Sequence, residues 1–208
     1  MKRNHILLFK FLSILILLIL LGCGSEGPGS PGSEGTEDIG LIVEAYVVPK
    51  YLDQNTNSVD AFQDFCGDEY EVFQNHVADV TITARFINPG AIYAPGNLYI
   101  EKYTVQYRRS ADSIGAPPIE TYVGYQTIVI PQPSAQGSME VTYTLVFLDL
   151  LRKEKYAQDV MSGQYSYGLS YINNYTATYI LEGKNELGQK FKIKANAEFQ
   201  IGNFDNCD

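Results

Sequence analysis

The amino-acid sequence predicts an all-β domain, an antiparallel sandwich of about seven strands with one short helix, preceded by a signal peptide and a disordered linker. Three observations predict this fold class. Short apolar or alternating runs recur between clusters of turn-forming residues. One segment alone changes to helical spacing, so the repeated helical crossovers that parallel strands need are missing. Aromatic residues make up 12% of the chain and include 16 Tyr, a composition suited to strands.

Residues 1–22 have the features of a signal peptide. Lys2, Arg3 and Lys10 make the amino end positive, and residues 11–21 are apolar except for one Ser. Counted from Ile6 to Gly22, the apolar run has 17 residues and is interrupted by Lys10. This is at the short end for a membrane span, which needs roughly 20 residues, and no Lys or Arg follows it closely. We therefore expect this segment to be cleaved, and an uncleaved membrane anchor is the alternative.

Leu20-Leu21-Gly22-Cys23, at the end of the apolar run, resembles the lipobox of bacterial lipoproteins. The resemblance implies that Cys23 receives a diacylglycerol, becomes the first residue of the mature chain and holds it to a membrane. Two or more acyl chains are enough for stable attachment. In Gram-negative bacteria, lipoproteins without Asp at the next position are sent outward, so Gly24 favours the outer membrane if the host has one.

A flexible linker is expected over residues 23–38, which are rich in Gly, Ser, Pro and Glu. Such a segment has no apolar side chains to offset the entropy lost on ordering, which predicts a disordered tether. Residues 39–208 follow, and 170 residues are within the range of one large domain.

The first two predicted strands flank a long polar segment. Residues 41–48 form a compact apolar run that ends at Pro49. Residues 77–87 alternate loosely and end at the turn signal Asn88-Pro89-Gly90. Residues 51–75, between these two runs, are polar and acidic and predict a long loop.

The third predicted strand, residues 98–109, has the alternation of a half-buried strand. Aromatic and apolar side chains share one parity and polar side chains share the other. The first set consists of Tyr99, Tyr103, Val105 and Tyr107. The second set consists of Lys102, Thr104, Gln106 and Arg108.

Four further strands and the helix complete the expected domain. The last two strands flank "GKNELGQK", which predicts a hairpin connection. Near-helical spacing of apolar residues amid charged ones predicts a short amphipathic helix, and these are Leu150, Leu151, Ala157, Val160 and Met161. The four strands are expected at residues 121–130, 140–147, 175–182 and 191–201, and the helix at 148–161.

Two stretches, "YTVQYRR" at 103–109 and "YTATYILEGKNELGQ" at 175–189, resemble the third and sixth strands of fibronectin type III-like, immunoglobulin-like domains. The resemblance implies an immunoglobulin-like β-sandwich with insertions chiefly at 50–75 and 148–165. It also implies that Tyr175, at the start of the sixth strand, donates a hydrogen bond to backbone upstream.

Five tyrosines around this sixth strand share strand parity, and we expect them at the boundary of the core because their rings are apolar and their hydroxyls polar. An exposed recognition patch is the alternative. The five are Tyr165, Tyr167, Tyr171, Tyr175 and Tyr179.

Two cysteines besides Cys23 are present, Cys66 and Cys207. In an exported domain such a pair predicts a disulfide, here closing a loop of about 140 residues. Two separate thiols are the alternative.

Charge and histidine content make several activities improbable. Removal of residues 1–22 leaves 12 basic and 24 acidic side chains, a formal charge of −12, which repels nucleic-acid phosphates. The mature chain has one histidine, His76, which we expect at the surface where loop becomes strand. No G-x-S-x-G elbow is present, so we expect no enzyme of the nucleophilic class. Two of the many carboxylates, however, are enough for glycoside hydrolysis.

The best metal candidate is "DQNTNSVDAFQD", residues 53–64. Asp53, Asn55 and Asn57 occupy positions 1, 3 and 5 of a calcium-loop template, and Asp64 occupies position 12. Position 6 lacks the usual Gly, so a solvated loop rich in Asp and Asn is the alternative. No other cofactor is expected.

These features together predict a lipid-anchored cell-envelope protein whose β-sandwich binds or scaffolds an envelope protein or surface partner without catalysis. The alternatives are a calcium-dependent adhesion module and a carboxylate-based glycoside hydrolase.

Overall fold

The computed structural model describes residues 30–90, 94–134, 137–165 and 172–204. The predicted signal peptide, Cys23 and Cys207 lie outside the described residues. Within the described ranges, no helix has both the length and the apolar character needed to cross a membrane.

Most of the described chain is strand, and one α-helix, α1 (Leu150–Met161), is present in it. The predicted all-β class with one short helix is therefore confirmed. The strands are β1 (Leu41–Tyr51), β2 (Gln54–Asn55), β3 (Ser58–Asp60), β4 (Phe65–Cys66), β5 (Glu69–Tyr70), β6 (His76–Phe86), β7 (Leu98–Arg109), β8 (Tyr122–Gly124), β9 (Ile128–Ile130), β10 (Ser138–Leu148), β11 (Asn173–Asn185) and β12 (Lys190–Gly202).

Two sheets share these strands. One has the order β10-β6-β1-β2, and the other has the order β3-β12-β11-β7-β8, with β9 also paired to β7. The strands β4 and β5 form a separate two-stranded ribbon. Among the pairings of described strands, all are antiparallel except that of β3 with β12.

One hydrophobic core joins the two sheets, and tyrosine hydroxyls cross it. The hydroxyl of Tyr179 on β11 donates to the Val146 carbonyl at 2.8 Å, and the Tyr103 hydroxyl on β7 accepts from the Val146 N–H at 3.2 Å. These bonds satisfy polar groups that burial removes from water. Tyr175 and Tyr179, which were expected at the boundary of the core, are almost fully buried within it. Tyr167 and Tyr171 lie outside the described residues.

The alternation predicted for β7 is interrupted by a β-bulge. The pairing of β7 with β11 skips Glu101, so the residues before it change sides. Ile100 is consequently buried, while the Tyr99 hydroxyl lies 3.4 Å from a carboxylate oxygen of Glu186. The expectation that Tyr99 shares a face with Tyr103 is therefore wrong, because one extra residue inverts the side-chain parity.

Residues 30–36, here called the N-terminal strap, belong to the folded body. Glu34 exchanges two backbone hydrogen bonds of 2.8 Å with Lys192, on the side of β12 away from β11. The Ser30 hydroxyl accepts from the Ala45 N–H of β1 at 2.6 Å, and Thr36 is fully buried. The prediction of a disordered linker is wrong for residues 30–38, because backbone pairing with two strands orders a segment that lacks apolar side chains.

Helix α1 confirms the predicted element but presents a different face to the core. Its first turn is capped by the Asp149 side chain, which accepts from the Arg152 N–H. Leu151 and Met161, which were expected on the apolar face, are both 70% exposed. The buried side chains follow strict helical spacing and are Lys153, Tyr156, Ala157 and Val160.

The segment predicted as a long loop, residues 51–75, contains four short strands, β2 to β5. We call this segment the insertion. It joins both sheets, because β2 pairs with β1 and β3 pairs with β12.

Candidate functional site

A group of ionisable side chains is buried where the insertion meets β1, β6 and α1. Charged residues are rarely fully buried unless they have partners, so this group is the principal chemical feature of the described chain. Each member is at most 6% exposed. The members of this polar cluster are Tyr51, Asp60, Glu71, His76 and Lys153.

The amine of Lys153 lies between aromatic rings and a backbone carbonyl. Its Nζ is 3.9 Å from the ring centroid of Phe73 and 5.3 Å from that of Tyr51, and it donates to the Gln74 carbonyl at 3.1 Å. Burial lowers the pKa of Lys153 to about 8, and the negative charges of Asp60 and Glu71 oppose that shift. The aromatic faces and the carboxylates together make a buried cation tolerable.

Asp60 and Glu71 are joined by a side-chain hydrogen bond. Burial first, and then this bond, raise the pKa of Asp60 to about 7, so Asp60 holds a proton at mildly acidic pH. An oxygen of Asp60 also accepts from the Phe204 N–H at 3.2 Å, and one of Glu71 accepts from the Asp64 N–H at 2.9 Å. The pair therefore ties the insertion to itself and to the end of β12.

His76 is buried and neutral. Its ring stacks on that of Tyr51, with centroids 4.3 Å apart, and its Nε2 lies 3.2 Å from the Ser58 carbonyl, which makes Nε2 the donor. Its Nδ1 has no hydrogen-bond partner among the described residues. Burial and the charge of Lys153 lower the pKa of His76 to about 3.

The expectation of a surface histidine is therefore wrong. The sequence did contain a signal for burial. His76 shares strand parity with Ala78, Val80 and Ile82, the core side chains of β6.

The chemistry of this arrangement is that of a structural clamp. A glycoside hydrolase holds its two carboxyls about 5–10 Å apart so that a sugar, and in inverting enzymes a water, fits between them. Asp60 and Glu71 are instead directly bonded and almost fully buried. This pair does not meet the geometry that the hydrolase alternative requires.

The four residues of the calcium-loop template do not lie in one continuous loop. Asp53 is in the turn between β1 and β2, Asn55 is in β2, and the Asn57 carbonyl accepts from the Gln200 N–H of β12 at 2.8 Å. Asp64 lies beyond β3, beside Glu71. The segment runs from one sheet to the other, since β2 pairs with β1 and β3 pairs with β12. Across the described ranges, no three His, Cys, Asp or Glu side chains are grouped as a metal site.

Tyr175 donates a hydrogen bond of 2.5 Å to the Pro117 carbonyl, in the connection between β7 and β8. Its ring is 1% exposed and stacks on Phe199, with centroids 5.6 Å apart. Tyr175 is thus a structural residue that holds the β7–β8 connection against the core.

Cys66 is half-buried in β4, and its expected partner Cys207 lies outside the described residues. The Ala61 N–H donates to the Gly202 carbonyl at 2.9 Å, which brings the end of β12 to the segment that leads into β4.

A groove of about 570 Å³ crosses the outer face of the larger sheet beside the N-terminal strap. Six of its charged side chains form three ion pairs, and the shortest pair joins Lys102 to Glu182 at 2.6 Å. The two other pairs are Lys184 with Glu101 and Lys192 with Glu34. Exposed pairs of this kind contribute little energy, and they mask each other's charge toward a ligand.

Comparison with known proteins assigns no family. No family model matches the chain, and no curated protein matches it. The solution structure of an Arabidopsis thaliana protein is similar at 13% identity over 70% of this chain and 80% of that chain, with a TM-score of 0.35. The solution structure of a putative late embryogenesis abundant protein is similar at 13% identity over 80% and 74% of the two chains, with a TM-score of 0.32. At these scores neither likeness assigns a fold or a function.

Proposed function

We propose that this chain is a lipid-anchored cell-envelope protein whose β-domain binds or scaffolds an envelope protein or surface partner without catalysis. The observation that carries the proposal is Leu20-Leu21-Gly22-Cys23 at the end of an apolar run behind a positive amino end. Acylation at Cys23 attaches the chain to a membrane. Gly24 then favours the outer membrane in a Gram-negative host.

The strap adds a geometric argument. Ser30 is bonded to β1, so seven residue steps separate Cys23 from the folded body. Seven steps of extended chain reach at most about 25 Å. An acyl group at Cys23 therefore holds the domain close to the bilayer surface, where envelope partners are found.

We propose the absence of catalysis because the ionisable groups of the polar cluster are buried and bonded within the fold. A general acid or base must reach the substrate, directly or through one water. Asp60, His76 and Lys153 have the strongly shifted pKa values of a functional site, yet each is 2% exposed or less and bonded within the fold. Shifted pKa values also arise in structural networks, and this burial favours that explanation.

The finer fold that we propose is the immunoglobulin-like sandwich. In such domains the first, second and fifth strands share one sheet, and the third, sixth and seventh share the other. We count the long strands in chain order and take β8 and β9 together as the fourth strand. The strands β1, β6 and β10 are then the first, second and fifth, and they share one sheet. The strands β7, β11 and β12 are the third, sixth and seventh, and they share the other sheet. The insertion and α1 are then additions to this framework.

The test is covalent analysis of the protein from its natural cells. We expect palmitate incorporation, an amino terminus at Cys23 and recovery in the membrane fraction. Cys23→Ser is expected to abolish the label, whereas Cys66→Ser, the matched control, is expected to keep it. A protein that begins at Met1 with an unmodified Cys23 thiol contradicts the proposal.

A further inference from the structure

The insertion carries an exposed aromatic pair. Phe65 and Tyr70 face each other across the β4–β5 ribbon, with ring centroids 4.9 Å apart in an edge-to-face arrangement. They are 59% and 66% exposed, and Val72 is 55% exposed. Large apolar side chains grouped at the surface mark interaction sites more often than single ones do. We call Phe65, Tyr70 and Val72 the insertion patch.

Residues of the polar cluster anchor the backbone of the insertion patch. Glu71 lies between Tyr70 and Val72 in sequence and points inward, so its two neighbours point outward. The Glu71 N–H donates to the Asp64 carbonyl at 3.1 Å, and the Tyr51 hydroxyl donates to the Val72 carbonyl. Exposed side chains on an anchored backbone lose less conformational entropy when a partner binds.

Every charged residue in the sequence of the insertion is acidic. Residues 51–75 contain six acidic and no basic residues. Asp68 and Glu69, at the tip of the ribbon, are exposed, and Asp64 is partly exposed. The nearby amine of Lys153 is fully buried, so it does not present a positive charge to a partner.

We propose that the insertion patch, flanked by Asp64, Asp68 and Glu69, is a docking surface for a basic segment of a partner protein that also carries apolar side chains. The inference rests on the proposed binding function and names the chemistry of the partner. Aromatic side chains supply the contact area of protein interfaces, and complementary charge supplies orientation and specificity. Anionic lipids and nucleic-acid phosphates are repelled by the same carboxylates.

The test is site-specific photo-crosslinking of the full-length protein in its own cells. A benzophenone amino acid is placed at Tyr70, and in a second strain at Tyr46, a β1 tyrosine with nearly the same exposure of 67%. We expect an adduct from position 70 and none from position 46. The crosslinked segment of the partner, identified by mass spectrometry, is expected to be rich in Lys and Arg.

Variants of the insertion patch and a control on the other sheet distinguish docking at the patch from nonspecific crosslinking. Asp68→Lys/Glu69→Lys reverses the local charge, and Phe65→Ser removes half of the aromatic pair while keeping every charge. Each is expected to reduce the adduct at least about tenfold. Glu44→Lys/Glu140→Lys, a matched reversal of exposed acids on the smaller sheet, is expected to leave the yield unchanged.

A measurement on the wild-type protein covers the case in which a variant fails to fold. With the identified partner, the Kd is expected to weaken at least about tenfold between 50 mM and 500 mM salt. An unchanged Kd overturns the inference, as does an acidic crosslinked segment or an adduct that survives charge reversal. An adduct from Tyr46 alone overturns the inference but leaves the binding function standing. No adduct from either position, in cells where Cys23 is acylated, contradicts the binding function itself.

Discussion

Asp60 and His76 give this fold opposite responses to pH. The pKa of Asp60 is raised from 3.8 to about 7, so its contribution to stability is present below pH 3.8 and is lost as the pH rises toward 7. The pKa of His76 is lowered from 6.5 to about 3, so its contribution is present above pH 6.5 and is lost as the pH falls toward 3. Between about pH 4 and 6.5 the two groups therefore change the free energy of unfolding in opposite directions.

We therefore predict that the free energy of unfolding of the wild type changes little across this window. Asp60→Asn leaves the His76 response, so stability should rise with pH. His76→Phe leaves the Asp60 response, so stability should fall with pH. Urea unfolding at pH 4.5, 5.5 and 6.5 measures the pH dependence of the free energy of unfolding for the wild type and both variants. If both variants keep the flat profile of the wild type, Asp60 and His76 do not contribute opposing pH dependences.

Lys153 acts outside that window. Its pKa is lowered from 10.5 to about 8, so its contribution is present above pH 10.5 and is lost as the pH falls toward 8. The pH profile between 4 and 6.5 therefore reports on Asp60 and His76.

At the scale of the element, the bulge in β7 depends on a close approach of two backbones. A Cβ added to Gly183 would lie 2.2 Å from the Tyr99 carbonyl oxygen and 2.7 Å from the ring of Phe191. The oxygen belongs to the backbone, and the Phe191 ring is packed in the core. The bulge thus requires glycine on the partner strand.

We predict that Gly183→Ala lowers the free energy of unfolding by about 1–3 kcal/mol, because the strands must separate to admit the methyl group. Gly90→Ala is the control, since the nearest atom to its added Cβ is the Asn88 side-chain oxygen at 3.5 Å. Chemical denaturation measures both variants. A Gly183→Ala protein as stable as the control would show that the strands are not held at this spacing.

The N-terminal strap acts on an exposed sheet edge. Its backbone bonds to Lys192 occupy groups of β12 that would otherwise be open to another chain. The strap therefore blocks edge-to-edge association at this edge of β12.

We predict that Glu34→Pro destabilises the domain by about 1–2 kcal/mol, because it removes the N–H that donates to Lys192, and that it increases self-association. Glu34→Gln is the control, since it keeps both backbone bonds and loses an ion pair of 3.3 Å whose contribution is small. Urea unfolding and analytical ultracentrifugation measure the two effects. Equal behaviour of the two variants would argue against a role for the strap backbone.

At the scale of the whole molecule, the segment that leaves β12 contacts the insertion. The Phe204 N–H donates to Asp60, and Cys207 follows three residues later, while Cys66 lies six residues after Asp60. This proximity supports the proposed bridge between Cys66 and Cys207, which would close most of the domain into a loop.

We predict that reduction lowers the Tm of the purified protein, since closing a loop of this length removes unfolded-state entropy worth about 4–5 kcal/mol. The Tm of Cys66→Ala/Cys207→Ala should lie near that of the reduced protein and should not respond to reductant. Two thiols that react with alkylating agent in the unreduced, unfolded protein would contradict the bridge.

The sequence by itself determined the fold class and most strand positions. The third strand was predicted at its observed bounds, 98–109, and α1 was predicted within two residues. Burying one face of a strand or helix produces alternation or helical spacing within a short stretch of sequence, so these patterns can be recognised locally. The polar cluster was missed because Asp60 and Glu71 read as solvated acids of a loop.

Only the tertiary structure decided where the exceptions fall. The bulge at Glu101, the burial of His76 and Lys153, and the ordering of the strap each depend on residues far away in the chain. A buried charge or an ordered polar segment is stable when residues distant in the chain bond to it. A local sequence pattern does not show which distant residues those are. The inward turn of Glu71, which leaves Tyr70 and Val72 facing solvent, follows from those distant partners.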